Sequence, residues 1–172
     1  MNLKKFANAY EPNPGSHRKN FTFTTDSGIV YVIYTLSGYR IIPGFNFSPH
    51  LIYVGFKPIN ENHISKNDII EDRYDGKIMN TVFNFIIHIL ENKNAIIIFT
   101  SSDEEGRRKG RIKLFNILYI RHFINRLHKM DFVFPTLGTT SMVFRRDNDY
   151  CVSLCTLTDE EIIERVNSYY RR

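Results

Sequence analysis

The spacing of hydrophobic residues changes partway along this chain, and the change limits the folds that it can adopt. Between residues 21 and 56, apolar residues alternate with polar ones or form short runs rich in β-branched and aromatic side chains. Both patterns are typical of β-strands. From about Asp75 to Leu90, apolar residues recur every three or four positions, which predicts a helix. Strands that precede the first helix in this way are typical of the α+β class.

Turn residues place the first strands. The alternating segment "FTFTT" is separated by "DSG" from the run "IVYVIYTL", which predicts a β-hairpin. A third strand is predicted at "LIYVGF" and ends at Pro58, because proline cannot donate a hydrogen bond within a sheet. The connection around Ile41 and Ile42 is predicted to be a long loop or a short irregular strand.

The second half of the chain mixes strands with two more helices. The apolar run "AIIIFT" predicts a strand in the middle of a sheet. An amphipathic helix with a basic face follows and is expected to run to about His128. Strands are predicted at "FVF", "SMVFRR" and "YCVSLCTL". A last helix begins at the capping box that Thr158 and Glu161 can form.

These elements fit a single domain, because the 172 residues of the chain are about the number that one hydrophobic core serves. We expect an irregular lead-in over residues 1–20 and one α+β domain over residues 21–172. Its sheet should be mostly antiparallel, with about six or seven strands, and its three helices should pack largely on one face.

The two cysteines, Cys151 and Cys155, fall within the segment that predicts a strand. Four residues of strand span about 13 Å at about 3.3 Å per residue, which is beyond the reach of a disulfide. Reduced structural thiols are therefore expected. The chain has neither a CxxC nor an HExxH pattern, so the sequence predicts no metal site and no cofactor.

Charge favours an anionic partner. Lys and Arg number 23 against 18 Asp and Glu, which gives a net charge of +5 and a basic surface that attracts nucleic acid or an acidic protein. No apolar run approaches the roughly 20 residues that a membrane-spanning helix needs, and the N-terminus lacks the apolar segment of a signal peptide. A cytoplasmic location without a membrane partner is expected.

The segment "SSDEEGRRKGR" stands out, since three acids and four cations lie between two apolar runs. Ser102 and Glu105 can form a capping box, and the acids suit the first turn of a helix. Capping does not explain the cations that follow, and a helix N-terminus can also bind phosphate. The residues expected to bind a ligand or nucleic acid are Ser102, Asp103, Arg107, Arg108, Lys109 and Arg111.

Two enzyme families show local similarity to this half of the chain. Arg107 to Gly110 resemble the pyrophosphate loop of GNAT acetyltransferases, R/Q-x-x-G-x-G/A, although Ile112 stands at the second small position. That resemblance implies acetyl-CoA as a cofactor. Arg121 and His128 resemble the R-x(4–6)-H spacing of HEPN ribonucleases, in which both residues on one face of a helix could act on a scissile phosphate.

A longer resemblance covers about residues 21–125. The segments 23–32, 75–86 and 101–115, the last with the pattern S-S-D-x(4)-R-x-x-R-x-x-L-F, resemble a family of small uncharacterised bacterial proteins known mainly from Bacteroidetes. The resemblance implies an α+β fold and a bacterial source, and it carries no activity. It directs attention to Ser102, Asp103, Arg108 and Arg111.

The function expected first is therefore a binding module in which the basic face of the Arg107–Lys129 helix meets nucleic acid or an acidic partner protein, in a toxin–antitoxin or phage-defence setting. An acyl-CoA-dependent N-acetyltransferase is the alternative, and a HEPN-like ribonuclease is the second alternative.

Overall fold

The computed structural model describes residues 3, 5–14, 20–59, 76–100, 107–134 and 138–170. Side chains at 14, 107–114, 133–134, 138–139 and 169–170 lie outside that description. The chain divides into two compact units. Unit 1 consists of Met1–Leu36 and Val54–Glu91, and unit 2 consists of Ser37–Tyr53 and Asn92–Arg172.

Strands and helices follow one another along the described part of the chain without a regular alternation. The strands are β1 (Asn13–Pro14), β2 (Asn20–Thr24), β3 (Val30–Ser37), β4 (Leu51–Pro58), β5 (Ile96–Thr100), β6 (Leu127–Phe134) and β7 (Gly138–Arg145). The α-helices are α1 (Gly76–Ile89), α2 (Arg107–His122), α3 (Cys151–Cys155) and α4 (Asp159–Tyr170). Short 3-10 helices span Gly38–Arg40 and Ser48–His50.

Unit 1 is built on the predicted hairpin. β2 and β3 pair antiparallel, and the turn between them is closed by a hydrogen bond from Gly28 N to Thr25 O. Gly28 has a φ of 85°, a conformation that side chains other than glycine rarely adopt, so the "DSG" signal had a steric basis. The strand order is β1-β2-β3-β4, with residues 54–58 of β4 in this unit.

Helix α1 buries one apolar side, which includes Val82, Phe83 and Ile86. The segment before β1 is held against it, because Phe6 N donates to Asn84 Oδ1 at 2.7 Å and Tyr10 N donates to Thr81 Oγ1 at 2.8 Å. This N-terminal segment shows no hydrophobic periodicity in the sequence, and hydrogen bonds from its backbone to side chains of α1 hold it in place.

Unit 2 contains β4 residues 51–53 and the order β4-β5-β7-β6. β4 and β5 run parallel, while β5–β7 and β7–β6 are antiparallel. One cluster of buried side chains forms part of its hydrophobic core. Its members are Ile42, Phe47, Leu51, Ile96, Ile98, Phe132, Met142, Phe144, Leu154 and Ile162.

The expected fold class is confirmed: the protein has an α+β fold with a mostly antiparallel sheet and three longer helices, α1, α2 and α4. Two details of the sequence interpretation are wrong. The segment "YCVSLCTL" holds helix α3 instead of a strand, and α2 ends at His122 instead of about His128. Ile41 and Ile42 lie in turns between the two 3-10 helices, which agrees with the predicted loop and not with an irregular strand.

Helix α4 begins with the capping box that the sequence predicts. Glu161 N donates to Thr158 Oγ1 at 3.2 Å, and Thr158 N donates to Glu161 Oε2 at 3.0 Å. Both interactions satisfy backbone N–H groups that a helix start leaves without partners. The box orients α4 so that Ile162 enters the core of unit 2.

Replacing Thr158 by alanine should destabilise the protein by about 1 kcal/mol, because an N-cap side chain is lost. The change should be visible as a lower midpoint in urea denaturation. The matched control is Asn167→Ala on the exposed side of α4, which should be neutral or slightly stabilising, since alanine is a better helix former. Equal midpoints for Thr158→Ala and the wild type would contradict the capping role.

Candidate functional site

The predicted binding residues divide between the described and the undescribed parts of the chain. Ser102, Asp103 and the capping box with Glu105 lie outside the described residues. Arg107, Arg108, Lys109 and Arg111 fall in the first turns of α2, where the backbone is described and the side chains are not. The structure therefore brings the four cations onto one helix, and the acetyl-CoA hypothesis for this segment stays a prediction.

Hydroxyl groups surround the end of β5, immediately before that segment. The Tyr53 and Thr100 hydroxyls are hydrogen-bonded at 3.0 Å. On the neighbouring strand, Thr140 pairs in register with Thr100. The Thr140 side chain is fully buried, and within the described residues its Oγ1 has no hydrogen-bond partner. A buried hydroxyl without a partner costs free energy, because folding removes its water.

Replacement of Thr140 by valine, which has nearly the same shape, should therefore stabilise the protein by about 1–2 kcal/mol. Chemical denaturation measures the difference. The matched control is Thr100→Val, which removes the bond to Tyr53 and should destabilise the protein by about 1 kcal/mol. A destabilised Thr140→Val variant would show that the hydroxyl does have a partner, in a part of the chain that the structure leaves undescribed.

Three exposed arginines lie near the end of α2 and directly after β7. We call Arg121, Arg126 and Arg146 the basic corner. Arg146 N donates to Arg126 O at 3.1 Å, and the Arg146 guanidinium donates to Ile124 O at 2.9 and 3.2 Å. The Arg146 side chain is therefore held in place by a backbone carbonyl, which leaves its positive charge available for other groups.

Lys129 does not belong to this basic surface, although the sequence placed it at the end of a basic helix. It lies on β6, its side chain is only 6% exposed, and its Nζ is paired with Asp131 at 2.5 Å. His128 also lies on β6. Arg121 and His128 therefore do not share a helix face, and this part of the HEPN-like interpretation is wrong.

The net charge of the protein resides in one unit. By sequence, unit 2 carries 15 Lys and Arg against 10 Asp and Glu, a net charge of +5, whereas unit 1 carries 8 of each and is neutral. The described cations of the basic corner and the four cations at the start of α2 all belong to unit 2. The modest excess of positive charge on the whole chain is thus concentrated on unit 2, which makes up somewhat more than half of the chain.

A second cluster lies beside the basic corner. One ligand-type atom from each of His128, Cys151 and Cys155 lies within 4.8 Å of the others. The two sulfurs are 4.0 Å apart, because residues four apart on helix α3 occupy the same side of that helix. Among the described residues, this is the group with potential to hold a metal ion.

Packing from the core positions His128 and the helix opposite it. His128 pairs in register with Phe144, and the two rings lie 5.4 Å apart. Leu154, which lies between the two cysteines on α3, is fully buried in the core of unit 2. Cys151 packs partly against that core, while Cys155 is exposed.

The turn that leads into α3 is closed by polar groups. Arg145 donates to both carboxylate oxygens of Asp147 at 2.7 and 2.5 Å, and these bonds lower the pKa of Asp147. Asn148 Oδ1 accepts from Tyr150 N at 2.8 Å, and Asn148 O accepts from Cys151 N at 3.0 Å. The start of α3 is therefore fixed by several independent hydrogen bonds.

The Arg146 charge acts on the cluster from close by. Burial lowers the pKa of His128, and Arg146 acts in the same direction. Burial raises the pKa of Cys155, the hydrogen bond with Cys151 acts in the same direction, and Arg146 opposes both. At neutral pH this arrangement favours a neutral imidazole, which is the form that can donate a lone pair to a metal.

Sequence reasoning missed this cluster because it assigned the cysteines to a strand. A usable signal was present, since a C-x-x-x-C spacing places two thiols on one side of a helix. The polar turn "RDND" before it is also typical of a helix start. The contribution of His128 could not be found in this way, because it depends on strand pairing 23 residues earlier in the chain.

Comparisons with protein-family models, with curated proteins and with solved structures give no match. Among the described residues, no helix has both the length and the apolar character needed to cross a membrane.

Proposed function

We propose that the protein is a nucleic-acid-binding module and that unit 2 makes the contacts. The observation that carries this proposal is the charge distribution: unit 1 is neutral and unit 2 carries the whole net charge of +5. Cations concentrated on one part of a protein displace the counterions of a polyphosphate backbone, and that displacement supplies most of the affinity for nucleic acid at low salt.

The basic corner is suited to contact phosphates. Arginine offers several N–H donors in a planar fork, and the backbone carbonyl of Ile124 already uses part of the Arg146 fork to fix its position. A guanidinium whose rotamer is fixed before binding loses less entropy when a phosphate arrives. Exposed Ile120 and Ile124 lie next to these cations and offer apolar surface to sugars or bases.

An acidic protein would be attracted by the same charge, so the choice of nucleic acid rests on the kind of cation. Three arginines with exposed side chains form the corner, and the fork of arginine matches phosphate geometry. The proposal assumes a bacterial source, as the resemblance implies, and a cytoplasmic location, where a toxin–antitoxin or phage-defence system would supply nucleic-acid targets. No catalytic group is assigned.

The double variant Arg121→Gln/Arg126→Gln should bind single-stranded RNA or DNA about 10-fold or more weakly at roughly 0.1 M salt, since each lost phosphate contact removes a released counterion. The slope of log K against log salt should become shallower by about 1.4 for single strands. Fluorescence anisotropy of labelled oligonucleotides across a salt series measures both quantities.

The matched control is Lys5→Gln/Lys57→Gln, which removes the same charge from exposed positions of unit 1. It should leave affinity within about twofold of the wild type, because exposed charges that contact no phosphate are largely screened by salt. Equal losses in both double variants would mean that only net charge matters. If polyglutamate displaces the oligonucleotide as well as an unlabelled oligonucleotide does, the surface recognises negative charge in general and an acidic protein becomes the better partner.

A further inference from the structure

The geometry points to a zinc-binding site in unit 2, with His128, Cys151 and Cys155 as its three protein ligands. This inference is independent of the proposed nucleic-acid binding, because it rests on the three ligand atoms and not on the charge distribution. The three atoms lie within 4.8 Å of one another, although His128 lies on β6 and the cysteines on α3.

The distances are close to those that a tetrahedral zinc requires. With bonds of about 2.3 Å to sulfur and 2.0–2.1 Å to nitrogen, two bound thiolates lie about 3.8 Å apart, and a thiolate and an imidazole nitrogen about 3.6 Å apart. The two sulfurs here are 4.0 Å apart, and the largest separation in the group is within 4.8 Å. Side-chain rotations that move the ligand atoms by about one ångström or less complete the site.

The donor set selects the metal. Two thiolates and one imidazole suit zinc, whereas magnesium and calcium require oxygen ligands. Each thiol releases one proton to solvent as its sulfur binds, so a Zn²⁺ ion replaces two protons and the net charge of the site does not change. Zinc binds thiolates and not a disulfide, and neither cysteine forms a disulfide.

Formation of a disulfide is the chemical alternative for two nearby thiols, and the helix opposes it. Residues four apart on a helix hold their Cβ atoms about 5–6 Å apart. A disulfide requires Cβ atoms about 3.5–4.5 Å apart, so α3 would have to distort. A metal ion needs no such change, because it bridges the sulfurs at nearly the separation that they already have.

The ligands are positioned before any metal arrives. The His128 ring packs against Phe144, and α3 is fixed through buried Leu154 and through the turn at Asn148. A site whose ligands are held by packing loses little entropy on binding. Three protein ligands leave a fourth position of the tetrahedron to water.

The test uses the full chain, kept reduced with a phosphine and titrated with Co²⁺ and then with Zn²⁺. One equivalent of Co²⁺ should give the visible bands of tetrahedral cobalt together with the ultraviolet band of cobalt–thiolate bonds, and one equivalent of Zn²⁺ should abolish both. Competition with a chromophoric chelator gives the zinc affinity. Failure of the wild-type protein to give the thiolate band would overturn the inference without reference to any variant.

Variants assign the ligands. Cys151→Ser, Cys155→Ser and His128→Gln should each weaken zinc binding by more than about 100-fold, since even an outer-shell partner contributes about 10–100-fold. The matched controls are Ser153→Ala, on exposed α3 between the cysteines, and His88→Gln, an exposed histidine of unit 1. Both controls should bind zinc as the wild type does.

Two further results would contradict the site. Unchanged affinity in His128→Gln would remove the imidazole from it, and a stoichiometry of one zinc per two chains would mean that cysteines of different molecules share the ion. Circular dichroism of each metal-free variant shows whether it is folded. Because Cys155 is exposed, Cys155→Ser keeps the core intact and tests a ligand even if His128→Gln fails to fold.

Discussion

Burial of β5 between β4 and β7 is the constraint on which the rest of unit 2 depends. Ile96 and Ile98 are fully buried, and their strand is hydrogen-bonded on both sides. The register that places Ile96 opposite Phe144 also places Phe144 opposite His128. Because side chains alternate across a strand, a slip of one residue would turn His128 to the other face of β6 and away from the cysteines.

The elements that could be predicted from the sequence are those with strong local signals. The hairpin was marked by "DSG" with Gly28 at positive φ, β5 by its apolar run, and α4 by its capping box. Each of these signals acts within a few residues, so the surrounding structure does not need to be known. The fold class followed from the order of such elements.

The errors occurred where longer-range contacts decide. α3 has five residues, too few for a helical period to be visible, and its form depends on Leu154 in the core and on Asn148 in the preceding turn. α2 ends at His122 because Leu127 onward pairs with β7. The same pairing converts Lys129 from an expected surface cation into the partner of Asp131. The candidate metal ligands share this origin, since no local pattern links His128 to the cysteines.

Arg146 connects the two features of unit 2. Its guanidinium is fixed at the basic corner by Ile124, and its charge acts on both His128 and Cys155. Because zinc replaces two protons, occupation of the site leaves the local charge unchanged. Metal binding would therefore not weaken the attraction of unit 2 for phosphate. Zinc would also hold α3 in place, because that helix carries two of the ligands.

Strand pairing and a short helix bring one imidazole and two thiols to a common point. X-ray absorption at the zinc edge of the zinc-loaded protein tests whether these three groups bind the metal together. Zinc held by His128, Cys151 and Cys155 should show two sulfur atoms at about 2.3 Å and at least one imidazole nitrogen at about 2.0–2.1 Å. A first shell made only of nitrogen and oxygen, or of four sulfurs, would contradict it.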